Sequence, residues 1–333
     1  MEHYHLYHHE IPAFLASFAQ TPAVARLRQV GMNCGCEYTS FPLFRGLRPY
    51  SRYDHSLGVA LIVWHFTRDP VQTLAGLLHD IATPVFSHSV DFMNGDYLTQ
   101  ESTEADTEKT IALSPELQTL LRENGLTTRD VCDYHCFPVA DNDAPRLSSD
   151  RLEYTLGNLL NYGICPPDTV RQFFADLTVG TNEDGEAELS FRTRRTAEEF
   201  SLAALKCSAI YVCDEDRYAM QILSEVLRSA LDLGVLTARD LHTTEPAVIG
   251  KLLDNCRTAA LWKRFRGLAR ITRADAAGAS GPWRNIQAKK RAIDPLVDGE
   301  GRVSQLSPAF RDALGGFLGA NQNYWICGGE NDT

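Results

Sequence analysis

The chain of 333 residues has no run near the ~18 consecutive apolar residues a membrane-spanning helix needs, and its start is polar rather than a charged-then-apolar signal segment. Both absences lead to the expectation of a cytoplasmic protein with no membrane partner. Positive charge is also short: 32 Lys and Arg stand against 43 Asp and Glu, a formal net charge of −11. A surface that coats nucleic acid needs a basic stripe to neutralise phosphates, so that class is set aside. A small phosphate ligand needs only a local basic cluster. The nine cysteines are odd in number, irregularly spaced and without paired CxxC knuckles. Reduced thiols are therefore expected, and Cys34, Cys36, Cys132 and Cys136 read as small buried side chains rather than zinc ligands. His3, His5, His8 and His9 read as a solvated N-terminal segment rather than a metal cluster. There is no internal repeat and no low-complexity segment.

What is present is a large apolar fraction, 44%, enough for one big domain or one domain with an appendage. Its periodicity is mostly helical. Short helices are expected over Pro12–Gln20 and from Pro22 or Ala23 to Val30, where Gly31 stops the second. From Asp54 to Phe66 the residues Leu57, Ala60, Leu61 and Trp64 recur at helical spacing, which predicts an amphipathic helix with His55 in its first turn. Pro70 opens another, with Leu74, Leu77, Leu78 and Ile81 as its buried stripe and His79-Asp80 at its far end. A third begins at Ser148-Ser149, placing Asp150 in its first turn ahead of Leu152, Leu156, Leu159 and Leu160. Two strand-like runs around Asn182-Glu183-Asp184-Gly185 predict a hairpin over 177–191. One long helix is expected over 197–233, another introduced by Thr237, then a small-residue linker over 276–281 and a tail of strands plus one helix.

His55, His79, Asp80 and Asp150 together offer two imidazoles and two carboxylates. A divalent metal with nitrogen and oxygen ligands and open positions suits that set, because it can both hold a phosphate oxygen and activate a water. Adjacent helical residues point about 100° apart, so His79 and Asp80 can share one ion only from a helix end inside a bundle. Arg26, Arg28, Arg45, Arg48 and Arg52 crowd just ahead of and inside the first motif, with Arg52 as the expected phosphate clamp.

Arg52-Tyr53-Asp54-His55-Ser56-Leu57-Gly58, then Leu77-Leu78-His79-Asp80, then Ser149-Asp150-Arg151-Leu152-Glu153-Tyr154 resemble the HD-domain metal-dependent phosphohydrolase superfamily. Thr21–Arg28 and Pro84-Val85-Phe86-Ser87-His88 bring the resemblance nearest to the deoxynucleoside triphosphate triphosphohydrolase branch, over roughly residues 1–250. The resemblance implies an all-α HD helical bundle over 1–250, with the metal site within 52–154 and a small α/β C-terminal appendage over 251–333. It implies His55, His79, Asp80 and Asp150 as ligands of Mn, Fe or Mg, with Zn or Ni as further candidates. It marks His88, Asp91 and Glu101 as a catalytic cluster, in which the histidine relays protons, and Arg52, Tyr154 and Asn158 as substrate contacts. It also implies a nucleotide or deoxynucleotide substrate, or another small phosphate ester, and assembly as a homo-oligomer.

The departures narrow the expectation. Thr83 stands where the branch has a second active-site histidine, Gln100-Glu101 where it has His-Glu, and Asn158 where it has Asp. The Tyr-x-His pair expected near Glu215-Asp216-Arg217 is missing. These losses leave the metal site better supported than substrate identity, and keep open a catalytically weak nucleotide-binding regulator. A di-iron oxygenase needs extra histidines and is disfavoured.

Overall fold

The computed structural model describes residues 6–96, 98 and 106–330. Its architecture is mainly helical, with sixteen α-helical segments among the described residues and two small sheets. The expectation of an all-α body is thus corrected: strands are built into the fold on either side of residue 250. The hairpin over 177–191 forms as read, β1 (Leu177–Thr181) pairing antiparallel with β2 (Ala187–Phe191). Asn182 Oδ1 closes its turn by accepting from the amides of Asp184 and Glu186, both at 3.0 Å.

The tail then docks on this hairpin. β5 (Leu296–Val297) lies parallel to β2, and β6 (Gly301–Arg302) completes the order β1-β2-β5-β6. β3 (Leu268–Ala274), β4 (Arg284–Asn285) and β7 (Trp325–Glu330) form a second, antiparallel sheet in the order β3-β7-β4. A single hydrophobic cluster runs from Tyr7 to Ile326 beneath both.

Three helices frame the site. Arg52–Thr67 starts at a capping box, Ser51 accepting from the Asp54 amide at 3.2 Å while Asp54 accepts from the Ser51 amide at 3.0 Å. Arg52, Tyr53 and every residue from His55 to Val63 are buried, so this helix is a central one and not amphipathic. The reason is tertiary: it packs against Pro70–Leu78, against Ser149–Asn161 and against the 3₁₀ turn Arg26–Gln29. Asp69 caps the Pro70–Leu78 helix by accepting from the Val71 amide at 2.8 Å, and Ser148 caps Ser149–Asn161 by accepting from the Arg151 amide at 3.2 Å.

The long helix expected over 197–233 is two, Arg194–Ile210 and Asp214–Asp232. Cys213 is extended between them, and Asp214, Glu215 and Asp216 occupy the first turn of the second helix, where carboxylates oppose the positive end of the helix dipole. Arg217, fully buried, donates to Asp214 and to the carbonyl of Ile286, tying the second helix to the tail. Thr237 introduces the short 3₁₀ turn Ala238–His242 rather than an α-helix. The tail carries two helical segments, Val303–Leu306 and Pro308–Gly319.

Candidate metal centre

The two imidazoles meet with their Nε2 atoms 3.2 Å apart. His55 comes from the first turn of Arg52–Thr67, and His79 and Asp80 from the turn where Pro70–Leu78 ends. One ligand atom from each of His55, His79 and Asp80 lies within 4.8 Å of the others. No further such cluster of His, Cys, Asp or Glu occurs among the described residues, so Cys132, His135 and Cys136 do not assemble one. Asp150 Oδ1 approaches from the third helix, 3.0 Å from His55 Nε2 and 3.8 Å from His79 Nε2.

The outer ring nitrogens are held. His55 Nδ1 faces Glu153 Oε2 at 2.6 Å and His79 Nδ1 faces the Gly76 carbonyl at 2.7 Å. Both partners only accept when Glu153 is ionised, so each Nδ1 carries a proton and each neutral Nε2 presents a lone pair to the same point. Two lone pairs converging at that distance, with carboxylates around them, repel unless positive charge sits between. The donor set therefore fits a divalent cation, with Glu153 and Gly76 as the outer partners that orient imidazole ligands. Without a cation a proton takes that role: burial lowers the His55 pKa, but hydrogen bonds to Asp150 and Glu153 outweigh it and carry it up to about 10. Burial raises the Asp150 carboxyl, yet the His55 contacts hold it at about 2.

Asp80 is embedded further. Oδ2 accepts from Arg52 Nη1 at 2.9 Å and Oδ1 from Thr83 Oγ1 at 2.8 Å, so the threonine in the second-histidine position braces a carboxylate. Arg52 Nε also donates to Ser87 Oγ at 3.1 Å. Of the five arginines crowded ahead of the first motif, Arg52 alone lines this cleft. Arg26 is spent on the carbonyls of Ile81 and Thr83, at 3.0 and 2.8 Å, while Arg28, Arg45 and Arg48 line a separate cleft.

Beside the cluster, the backbone turns through two left-handed residues, Phe86 at φ 60° and Ser87 at φ 44°. Such strain persists only where surroundings hold it, and here it aims His88 at the cleft. His88 Nδ1 pairs with Asp91 Oδ2 at 2.8 Å, and burial lowers the His88 pKa despite the carboxylate. Glu101 lies outside the described residues. Tyr154 and Asn158 follow Asp150 at four-residue steps, so all three face the cleft from one side of the helix. Asn158 Nδ2 donates to Tyr211 at 2.8 Å, whereas its buried Oδ1 has no partner.

The cleft encloses about 170 Å³ and includes residues that sequence reasoning missed. Glu153, which backs His55 rather than lining the cleft, was missed as well and had a local signal, since three residues after Asp150 is nearly the same helix face. Tyr134, with its ring 4.9 Å from that of His79, had none, nor had Arg291, delivered by the tail. Asp216 lines the far wall, its carboxyl pushed up to about 8 by burial. Among the described residues no helix is long and apolar enough to cross a membrane.

No family model matches the chain. It is 26% identical over 205 residues to the uncharacterized protein YdhJ of Bacillus subtilis, covering 61% of each chain. It is 29% identical over 126 residues to cns2 of Cordyceps militaris, named a metal-dependent phosphohydrolase, covering 36% of this chain and 34% of that one. The chain thus spans 61% or less of the length of these curated relatives. A crystal structure of a hypothetical protein from Aquifex aeolicus shares the fold, with a TM-score of 0.64 over 96% of this chain and 93% of that one at 17% identity.

Proposed function

We propose that this protein is an HD-type metal-dependent phosphohydrolase acting on a nucleotide or nucleotide-like phosphate ester. The carrying observation is the convergence of the His55 and His79 Nε2 atoms, 3.2 Å apart, with Asp80 and Asp150 beside them. The name carried by the Cordyceps militaris relative supports the same chemistry. His55, His79, Asp80 and Asp150 would hold the cation, which when bound supplies Lewis acidity to a phosphoryl group and to a water.

The chain's own residues account for the rest. Glu153 and the Gly76 carbonyl hold both imidazoles in the tautomer that leaves Nε2 free to ligate. His88, neutral at pH 7 with its Nδ1 proton on Asp91, has Nε2 left to exchange a proton in the cleft. It accepts one from the attacking water and returns it to the departing oxygen. Tyr154 and Tyr211, with rings 6.1 Å apart and nearly perpendicular, offer apolar walls to a planar base, and Asn158 Oδ1 offers an acceptor to a sugar hydroxyl.

The test is metal content alongside hydrolysis of a phosphate-ester panel. Protein expressed with metal supplied is expected to hold about one divalent ion per chain, and His79→Ala or Asp80→Ala to empty the site. Elemental analysis that finds no metal, before or after soaking, removes this reading.

A further inference from the structure

We propose that Glu245, remote in sequence from every metal ligand, is a positioning residue of the reaction centre: its carboxyl holds the Phe86–Ser87 turn against the start of the helix Arg52–Thr67, and so sets where His88 stands in the cleft. The placement of His88 is independent of the phosphohydrolase reading, and only the effect on turnover rests on it.

Glu245 opens the helix Glu245–Asp254 and is 3% exposed, yet its side chain serves other parts of the chain. The cap of that helix is Thr244, which accepts from the Ala247 amide at 3.4 Å. Glu245 Oε1 accepts from the Gly31 amide at 2.8 Å and from the Phe86 amide at 3.4 Å, and Oε2 accepts from the Tyr38 hydroxyl at 2.7 Å. These donors lie 214, 159 and 207 positions earlier in the chain. A buried carboxyl is costly unless such bonds meet it, so the three segments are drawn to one point.

Two of those segments lead to the reaction centre. Gly31 sits between Val30, whose carbonyl accepts from the Arg52 amide at 2.8 Å, and Met32, whose amide donates to the Tyr50 carbonyl at 3.0 Å. Holding Gly31 therefore holds the helix start that presents Arg52 and His55. On the other side, Phe86 and Ser87 are the left-handed residues that precede His88. Arg52 Nε closes the ring by donating to Ser87 Oγ at 3.1 Å.

The residues ahead of Glu245 brace the same turn. The Leu241 carbonyl accepts from the Val85 amide at 2.8 Å, and the Thr243 carbonyl accepts from Arg26 Nη1 at 3.1 Å, while Arg26 Nη2 reaches the carbonyls of Ile81 and Thr83. Left-handed backbone at a phenylalanine and a serine persists only under such restraint. Without the Glu245 carboxyl the Phe86 amide loses its acceptor, the turn relaxes, and the His88 ring leaves its place beside Asp91.

The test is a nuclear magnetic resonance titration of the histidines in Mg²⁺-supplied native chain, Glu245→Ala, Glu245→Asp and Glu245→Gln, with the His88 signal assigned by its absence in His88→Gln. Native His88 is expected to titrate below the ordinary value of about 6.5, because burial lowers it against Asp91 and the charges of Arg291 and Arg52 add to the lowering. In Glu245→Ala the midpoint should rise toward that value as the ring is solvated. In Glu245→Asp, too short to reach both amides, it should rise part of the way. Glu245→Gln keeps an acceptor oxygen for Gly31 and Phe86 and should titrate as the native chain does. Turnover of adenosine 5′-monophosphate or 5′-triphosphate, measured in parallel, should fall by on the order of 10²-fold in Glu245→Ala and recover in Glu245→Gln, the scale of moving a reacting group by about 1 Å. A folded Glu245→Ala whose His88 titrates natively overturns the inference, as does a Glu245→Gln no closer to native than Glu245→Ala. If Glu245→Ala does not fold, Glu245→Asp decides in the same way, and loss of the fold in both shows that Glu245 holds the whole molecule rather than this turn, which also overturns the inference. A native chain that hydrolyses neither ester counts against the phosphohydrolase reading alone, because the titration still decides the role of Glu245.

Discussion

Each ring nitrogen of His55 has its own carboxylate, Glu153 at Nδ1 and Asp150 at Nε2, while among the described residues His88 pairs with Asp91 through Nδ1 alone. That difference separates a residue built to stay in one state from one able to exchange a proton. Burial keeps the His88 pKa below its ordinary value, so the neutral, proton-accepting form persists through neutral pH and is lost only as pH falls through that lowered value. Turnover is therefore expected to hold between about pH 7 and 6.5, the ordinary histidine pKa, and to decline on further acidification. His88→Ala should lower turnover by on the order of 10²-fold and remove this acidic limb while metal content stays native. A pH–rate profile unchanged by the substitution would reduce His88 to a helix-end contact.

At the scale of elements, the site exists because helices approach closely where side chains are absent. A Cβ on Gly58 would lie 2.6 Å from Glu153 Cγ and Oε1, and one on Gly157 2.6 Å from the Tyr50 hydroxyl. Tyr50 in turn donates to Glu153 at 2.5 Å, so these contacts converge on the carboxylate that orients His55. Gly58→Ala should displace Glu153 and weaken metal affinity by roughly 10–100-fold, the usual cost of losing an outer partner of a ligand. Chelator competition measures it, and Glu153→Gln is expected to go the same way. Unchanged affinity in both would show that His55 needs no carboxylate behind it.

For the whole molecule, the tail is a structural part of the site because it carries Arg291 between two anchored sheets. Arg302 of β6 reaches Glu188 of β2 and Glu183 in the turn after β1, contacting one oxygen of each at 2.7 Å, and Glu188 is fully buried. Removing the cation strands a buried carboxylate, so Arg302→Ala should cost about 3–5 kcal/mol in urea unfolding. A loss under about 1 kcal/mol, the scale of an exposed pair, would mean that the tail is held by apolar packing alone.

The sequence by itself determined the local parts: His55 in a first turn, His79-Asp80 at a helix end before Pro84, Asp150 just after a Ser cap, and the hairpin around Asn182. Caps, turns and apolar spacing act over a few residues, and their physics is written in neighbouring side chains. Tertiary structure decided the rest. The Arg52–Thr67 helix is buried on nearly all sides because other helices surround it, which its own periodicity does not encode. The break at Cys213 had a signal in the acidic triplet behind it, but the interlocking of Arg217 with the tail depends on residues remote in the chain. Tyr50 behind Glu153, Thr83 on Asp80, β5 beside β2 and Arg291 at the cleft are likewise pairings that neighbouring side chains do not specify, settled by which surfaces the packed core brings together.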